Sequence, residues 1–201
     1  MSQYKSIENR TARTVAGTAD RKGLGTQDLI LIAVLLAAGA VLKLTVGSFF
    51  ASFGMKPNFI IAMYCLAIIL TRPTVAQSAV VGLIAGLICQ IPMLNATPLI
   101  NIVSELLGAL TCGLLVRAGV EDKGVIGVGA SVKTFLNTFV STVVSGGTFA
   151  LIAIYINVVL PGAGNVGAAL AAYAAIVLGT ATFNGILNTV LVPPLRKVLK
   201  R

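Results

Sequence analysis

Residues 28–46 read DLILIAVLLAAGAVLKLTV, an apolar run with one charge at its start, Asp28, and one near its end, Lys43. At about 1.5 Å of rise per residue such a run spans close to the ~30 Å hydrocarbon core of a bilayer. Asp28 suits a helix N-terminus, where the helix dipole favours negative charge. The run is too long for the apolar region of a secretory signal, and residues 1–27 before it are polar. It reads as a transmembrane helix.

The rest of the chain repeats the pattern. Hydrophobic residues make up 57% of the 201 and charged residues 10%, with a mean hydropathy of +0.96. A soluble domain normally carries about a quarter charged residues. Further apolar runs cover Pro57–Leu70, Thr74–Ile91, Leu99–Val116, part of Val125–Leu160, and Val166–Val192. Pro57 is tolerated at a helix start. The stretch Val125–Leu160 exceeds one crossing, and Gly146-Gly147 offers a place to kink or break it. Pro193-Pro194 is expected to stop the last regular segment.

Charge fixes the number and orientation of the spans. The net charge is +9. Basic residues gather in the amino-terminal tail, at Arg72, at Arg117–Lys123, and at Arg196, Lys197, Lys200 and Arg201. The loops 92–98 and 161–165 carry none. With six spans, every basic segment except the Lys56 loop falls on one side, which the positive-inside rule makes cytoplasmic. The sequence therefore predicts an all-α integral membrane protein. It is a bundle of six transmembrane helices over residues 27–195, with both termini cytoplasmic. Residues 1–26 read as a disordered cytoplasmic tail, and 196–201 as a basic one. Basic residues placed this way favour anionic lipid rather than nucleic acid.

Ionisable groups at membrane depth are costly and usually functional. Glu105 is the only acid inside an apolar run, and Asn101 lies one turn before it on the same face. This pair reads as a ligand or ion site, or as a hydrogen-bond partner within the bundle. Lys133, Asn137, Ser141 and Ser145 recur every fourth residue, and Asn184 and Asn188 form a shorter stripe. Lys133 also suits snorkelling to headgroups, and Asn137, Ser141 and Asn188 suit bridging between helices. In the first outer loop Lys56 follows Phe49, Phe50 and Phe53 and precedes Asn58. A cation beside aromatic rings fits a ligand with a carboxylate and an apolar body. Lys43 either adds to that field or snorkels. Ala33 and Ala37, and Gly82 and Gly86, are small pairs spaced by four, suited to close helix packing or to docking a partner helix.

Other chemistry has no residues to carry it. The chain holds no histidine, and its three cysteines, Cys65, Cys89 and Cys112, lie within apolar runs without metal-ligand spacing. It has no phosphate loop and no nucleophile elbow. Neither an enzyme nor a self-contained ATPase is expected, and no cofactor or metal.

The Ala33/Ala37 pair, the segment Gly54-Met55-Lys56-Pro57-Asn58, Gly82, Gly86, Asn101 and Leu187-Asn188-Thr189 resemble the tryptophan-transporter family. That family is placed among the substrate-binding (S) components of energy-coupling-factor (ECF) transporters. The likeness covers roughly residues 27–195, and Met55-Lys56-Pro57 is its most specific part. It implies a prokaryotic plasma-membrane protein that captures a small molecule from outside, most simply tryptophan or a related aromatic compound. It also implies docking on a transmembrane T component through Ala33 and Ala37, with ATP used by two ATP-binding partner subunits. Lys56, Asn58, Asn101 and Asn188 are the matched positions. Ser104 and Glu105 depart from an expected acidic-basic pair, and Asn58 stands where an acid is expected.

A concrete mechanism follows. Lys56 would pair the carboxylate of the ligand, Glu105 its ammonium group, and Phe49, Phe50 and Phe53 would cover the aromatic body. Burying a zwitterion without partners would cost several kcal/mol, so the site needs one group of each sign. Two other readings stand beside it. One is an ion-coupled secondary transporter acting alone, with Glu105 as its ion site. The other is a membrane scaffold without a ligand.

Overall fold

The computed structural model describes residues 23–51, 58–91, 97, 99–120, 128–162 and 164–199. Among them are seven α-helices and no strand: α1 (Thr26–Leu44), α2 (Val46–Ala51), α3 (Phe59–Thr71), α4 (Val75–Ile88), α5 (Ile100–Arg117), α6 (Val128–Ile154) and α7 (Val166–Leu199). A π-helical turn, Tyr155–Val159, extends α6. The all-α expectation therefore holds. The tail 1–22, most of the loop around Lys56 and the acidic-basic turn 121–127 lie outside the described residues.

Four helices, α1, α5, α6 with its π turn, and α7, are long and apolar enough to cross a membrane. The other two apolar helices are shorter, α3 with 13 residues and α4 with 14. At about 1.5 Å per residue each spans only about 20 Å. The shortness of α3 goes with its position. Every residue from Phe59 to Leu70 is buried, and α3 packs against α1, α4, α5, α6 and α7. It is the central post of the bundle. A helix apolar all round belongs in such a place.

Close approach elsewhere depends on small residues. A Cβ on Gly82 would come within 2.7 Å of the Glu105 carbonyl oxygen and the Ala109 Cβ. One on Gly86 would come within 2.8 Å of the Ile102 Cα. The glycine pair thus seats α4 directly on the backbone of α5, where packing rather than hydrophobic transfer holds helices together. Ala33 and Ala37 do the opposite. Both are exposed, on a face of α1 shared with Leu29, Ile30, Val34 and Val41.

Two local expectations change. Pro193-Pro194 lies inside α7, which continues to Leu199. The proline rings remove two backbone donors. However, Leu187, Leu191, Leu195 and Leu199 form a stripe at a spacing of four against the core, and Val192 and Arg196 between them are buried. That packing carries the helix past the prolines. Likewise Gly146-Gly147 leaves α6 unbroken. Gly146 instead faces Val177 of α7.

Arg72 closes α3 in the left-handed region (φ 48°), the only non-glycine with positive φ among the described residues. Thr74 then starts α4 with a reciprocal cap. Its hydroxyl accepts from the Gln77 N–H at 3.2 Å, and its own N–H donates to the Gln77 side-chain oxygen at 2.9 Å.

Candidate functional site: a charged cavity between five helices

A cavity of about 150 Å³ lies at the end of the bundle where α1 stops and α5 starts. Room of this order takes one benzene-sized ring, so an indole must extend past it. Five helices build it. Lys43 comes from the last turn of α1, and Asn58 and Ile61 from the start of α3. Asn101, Ser104 and Glu105 come from the first turns of α5. Thr142, Ser145, Gly146 and Phe149 come from α6, and Tyr173, Ile176, Val177 and Thr180 from α7. Polar side chains line it together with the rings of Phe149 and Tyr173 and the aliphatic chains of Ile61, Ile176 and Val177. Such a mixture is usual for small-molecule sites.

Glu105 is fully buried. Its Oε1 accepts from Asn58 Nδ2 at 2.6 Å and its Oε2 from Ser145 Oγ at 3.1 Å. Three helices therefore fix this one carboxyl group. Asn58 Oδ1 has no hydrogen-bond partner among the described residues, so the same amide that orients Glu105 also holds an acceptor in reserve. Lys43 is 2% exposed, and its charge acts on Glu105. Its Nζ also lies 3.9 Å from Cys89 Sγ. A cation and an acid at membrane depth thus share one cavity.

Below the cavity a polar ladder joins α3 to α6 and α7. Asn184 Nδ2 donates to the Asn58 carbonyl and to Thr142 Oγ1, both at 3.4 Å. Four residues on along α3 and α7, and four back along α6, the motif repeats: Asn188 Nδ2 donates to the Ala62 carbonyl and to Thr138 Oγ1, both at 3.0 Å. One residue on, Thr189 Oγ1 reaches the Ser131 carbonyl at 3.4 Å. The spacing of four matches one helical turn on all three helices, so identical rungs stack. Asn137 is buried beside them, its carbonyl accepting from Ser141 Oγ at 2.7 Å.

The sequence-predicted residues divide accordingly. Asn58, Asn101 and Glu105 line the cavity. Asn188 belongs to the ladder, and Asn137 lies within α6 below the cavity. Phe49 is 63% exposed and does not line it. Lys56 and Phe53 lie outside the described residues, as does the side chain of Phe50. Sequence reasoning underrated Lys43 and passed over Thr142, Phe149, Tyr173 and Thr180. Lys43 carried a signal, being the one lysine well inside the first apolar run. The aromatic and threonine positions carried none, because both residue types are common on lipid-facing surfaces.

The family model described as Tryptophan transporter TrpP matches residues 25–200. The chain belongs to this tryptophan-transporter family. No curated protein and no solved structure matches it. Membership and the four long apolar helices make it a membrane protein of a transporter family. The match runs from the approach to α1 to the end of α7, so all five helices that build the cavity fall inside it.

Proposed function

We propose that the chain is the substrate-binding component of an ATP-driven ECF-type importer, and that the cavity holds tryptophan or a close aromatic relative. The observation that carries this reading is the pairing of Lys43 and Glu105 in one cavity with an aromatic wall. A zwitterionic amino acid brings a carboxylate and an ammonium group, and each needs a partner of opposite sign when water is excluded. Lys43 takes the carboxylate. Glu105, steadied by Asn58 and Ser145, takes the ammonium, with Asn58 Oδ1 as a second acceptor. The indole lies against Phe149, Tyr173, Ile176 and Val177. Lys43 thereby assumes the role that the sequence alone suggested for Lys56.

Energy for import comes from outside the chain in this reading. Ala33 and Ala37 leave a smooth exposed strip on α1, which suits docking on a transmembrane T component that carries two ATP-binding subunits. Six spans with both termini cytoplasmic place the cavity toward the outer surface, because α1 then enters from inside and Lys43 lies near its far end.

Calorimetric titration of the purified chain with tryptophan tests the ligand. Reconstitution with and without the T component and ATPases tests the energy source. Uptake by the chain alone under an ion gradient would replace the importer with the second reading, an ion-coupled carrier using Glu105. The buried carboxyl and its two donors make Glu105 the residue on which that alternative also rests.

A further inference from the structure

Gly146 stands where α6 meets α7 on the wall of the cavity, and it lines that space together with Val177. We propose that Gly146 sets the size of ring the cavity admits, favouring the two-ring body of tryptophan over the single ring of phenylalanine. The inference rests on the reading of the cavity as an aromatic amino-acid site.

A Cβ at position 146 would lie 3.0 Å from Val177 Cγ2 and 3.2 Å from Val177 Cγ1. Both residues border the cavity, so an added methyl group leaves two outcomes. Either α7 backs away from α6, or the cavity gives up the volume. The polar ladder opposes the first. Its rung from Asn184 to Thr142 lies one turn from Gly146 on α6, and the rung from Asn188 to Thr138 lies one turn beyond. Two rungs thus hold α7 on α6 just below this contact. The methyl group and the displaced Val177 side chain therefore narrow the cavity.

The narrowing falls where the ring of the ligand lies. Ser145, the preceding residue, donates to Glu105, the acid assigned to the ammonium group. Phe149 follows one turn along α6, and Tyr173 precedes Val177 by one turn of α7; both line the cavity. A ligand held by Glu105 at one end and by this aromatic pair at the other lies across Gly146 and Val177. The space of about 150 Å³ takes one benzene-sized ring. The second ring of an indole therefore depends on room beside the first, and bare backbone at position 146 leaves it. Gly147 provides a matched comparison, because a Cβ there meets nothing within 4 Å. One methylene more or less in an apolar pocket changes discrimination about 10- to 200-fold.

The test is calorimetric titration of the purified full-length chain with L-tryptophan and with L-phenylalanine. Gly146→Ala is expected to weaken tryptophan at least about 10-fold and phenylalanine less than about 3-fold, so the ratio of the two affinities falls. Gly147→Ala should keep the wild-type ratio, which separates cavity room from the helix propensity that both variants gain. Adding Val177→Ala to Gly146→Ala should restore the ratio. If Gly146→Ala does not fold, Val177→Ala alone carries the test and should raise the ratio. Equal weakening of both ligands by Gly146→Ala would mean that Gly146 only seats α7 on α6, and it would overturn the proposal. So would an equal change in Gly147→Ala, no restoration in the double variant, or a wild-type ratio in Val177→Ala. Wild-type protein that binds neither amino acid would overturn the underlying reading of the cavity as well.

Discussion

Asn58 reaches Glu105 across 2.6 Å, tying the first residue before α3 to the second turn of α5. The same residue's carbonyl accepts from Asn184 on α7. One asparagine therefore aligns the acid of the cavity with the first rung of the ladder. Replacing Asn58 by alanine removes both the orientation of Glu105 and the reserve acceptor. Tryptophan affinity should fall about 10- to 100-fold, since a hydrogen bond to a charged group contributes about 1.5–3 kcal/mol. Titration calorimetry reads it, and an unchanged dissociation constant would remove Asn58 from the site.

The two charges of the cavity make separable predictions about ligand form. Glu105→Gln should weaken tryptophan binding about 10- to 100-fold and leave indole-3-propionate, which has no ammonium, little affected. Lys43→Met should spare tryptamine, which has no carboxylate, and weaken tryptophan. Competition assays with the three compounds distinguish the roles. If both variants weaken all three compounds alike, neither residue recognises a charge.

Glycine at position 82 has a mechanical consequence. A larger side chain there meets the Glu105 carbonyl oxygen and Ala109, so Gly82→Val must push α4 away from α5. Overpacking of this kind costs about 1–3 kcal/mol. A lower melting temperature and weaker tryptophan binding should appear together, because the same displacement moves Glu105. Wild-type stability in this variant would show that the two helices are not seated as described.

The ladder lends itself to a double-mutant cycle. Asn188→Ala and Thr138→Ala remove the two ends of one 3.0 Å bond. Interhelical hydrogen bonds within membranes average about 0.6 kcal/mol and reach about 1.7. A coupling energy in that range is expected from unfolding measurements. Zero coupling would mean that the bond contributes nothing to holding α7 on α6.

Ala33→Trp and Ala37→Trp change an exposed face of α1 and touch no part of the cavity. On the proposed importer reading, tryptophan binding by the isolated chain should stay at the wild-type level, while ATP-driven uptake with the T component and ATPases should fall by at least about 10-fold, as docking-face substitutions do when they cost about 1.4 kcal/mol or more. Normal uptake would place the docking face elsewhere.

Much of this protein can be read without coordinates. Apolar runs separated by short polar breaks require helices in lipid, because only intrahelical bonds satisfy a backbone there. Glu105 and Asn101 stand out against such a background because charge and amide groups are expensive in it. The four-residue spacing of Lys133, Asn137, Ser141 and Ser145 shows that they share a face, but not what that face meets.

What the face meets was settled only by how the helices turn toward one another. Periodicity defines a stripe, whereas packing decides whether it fronts a cavity, a neighbouring helix or lipid. So Ser145 meets Glu105 at the cavity while Asn188, equally prominent as a letter, is spent on the Ala62 carbonyl and Thr138. Lys43 reads as a snorkelling residue until α3, α5 and α7 close around it. Pro193-Pro194 reads as a stop until the leucine stripe of α7 is seen gripping the core on both sides of it. The sequence by itself determined that the chain is a helical membrane bundle with few charges inside its apolar runs. Tertiary packing alone decided which few polar groups face one another across an enclosed space, because that depends on contacts between residues 40 to 126 positions apart.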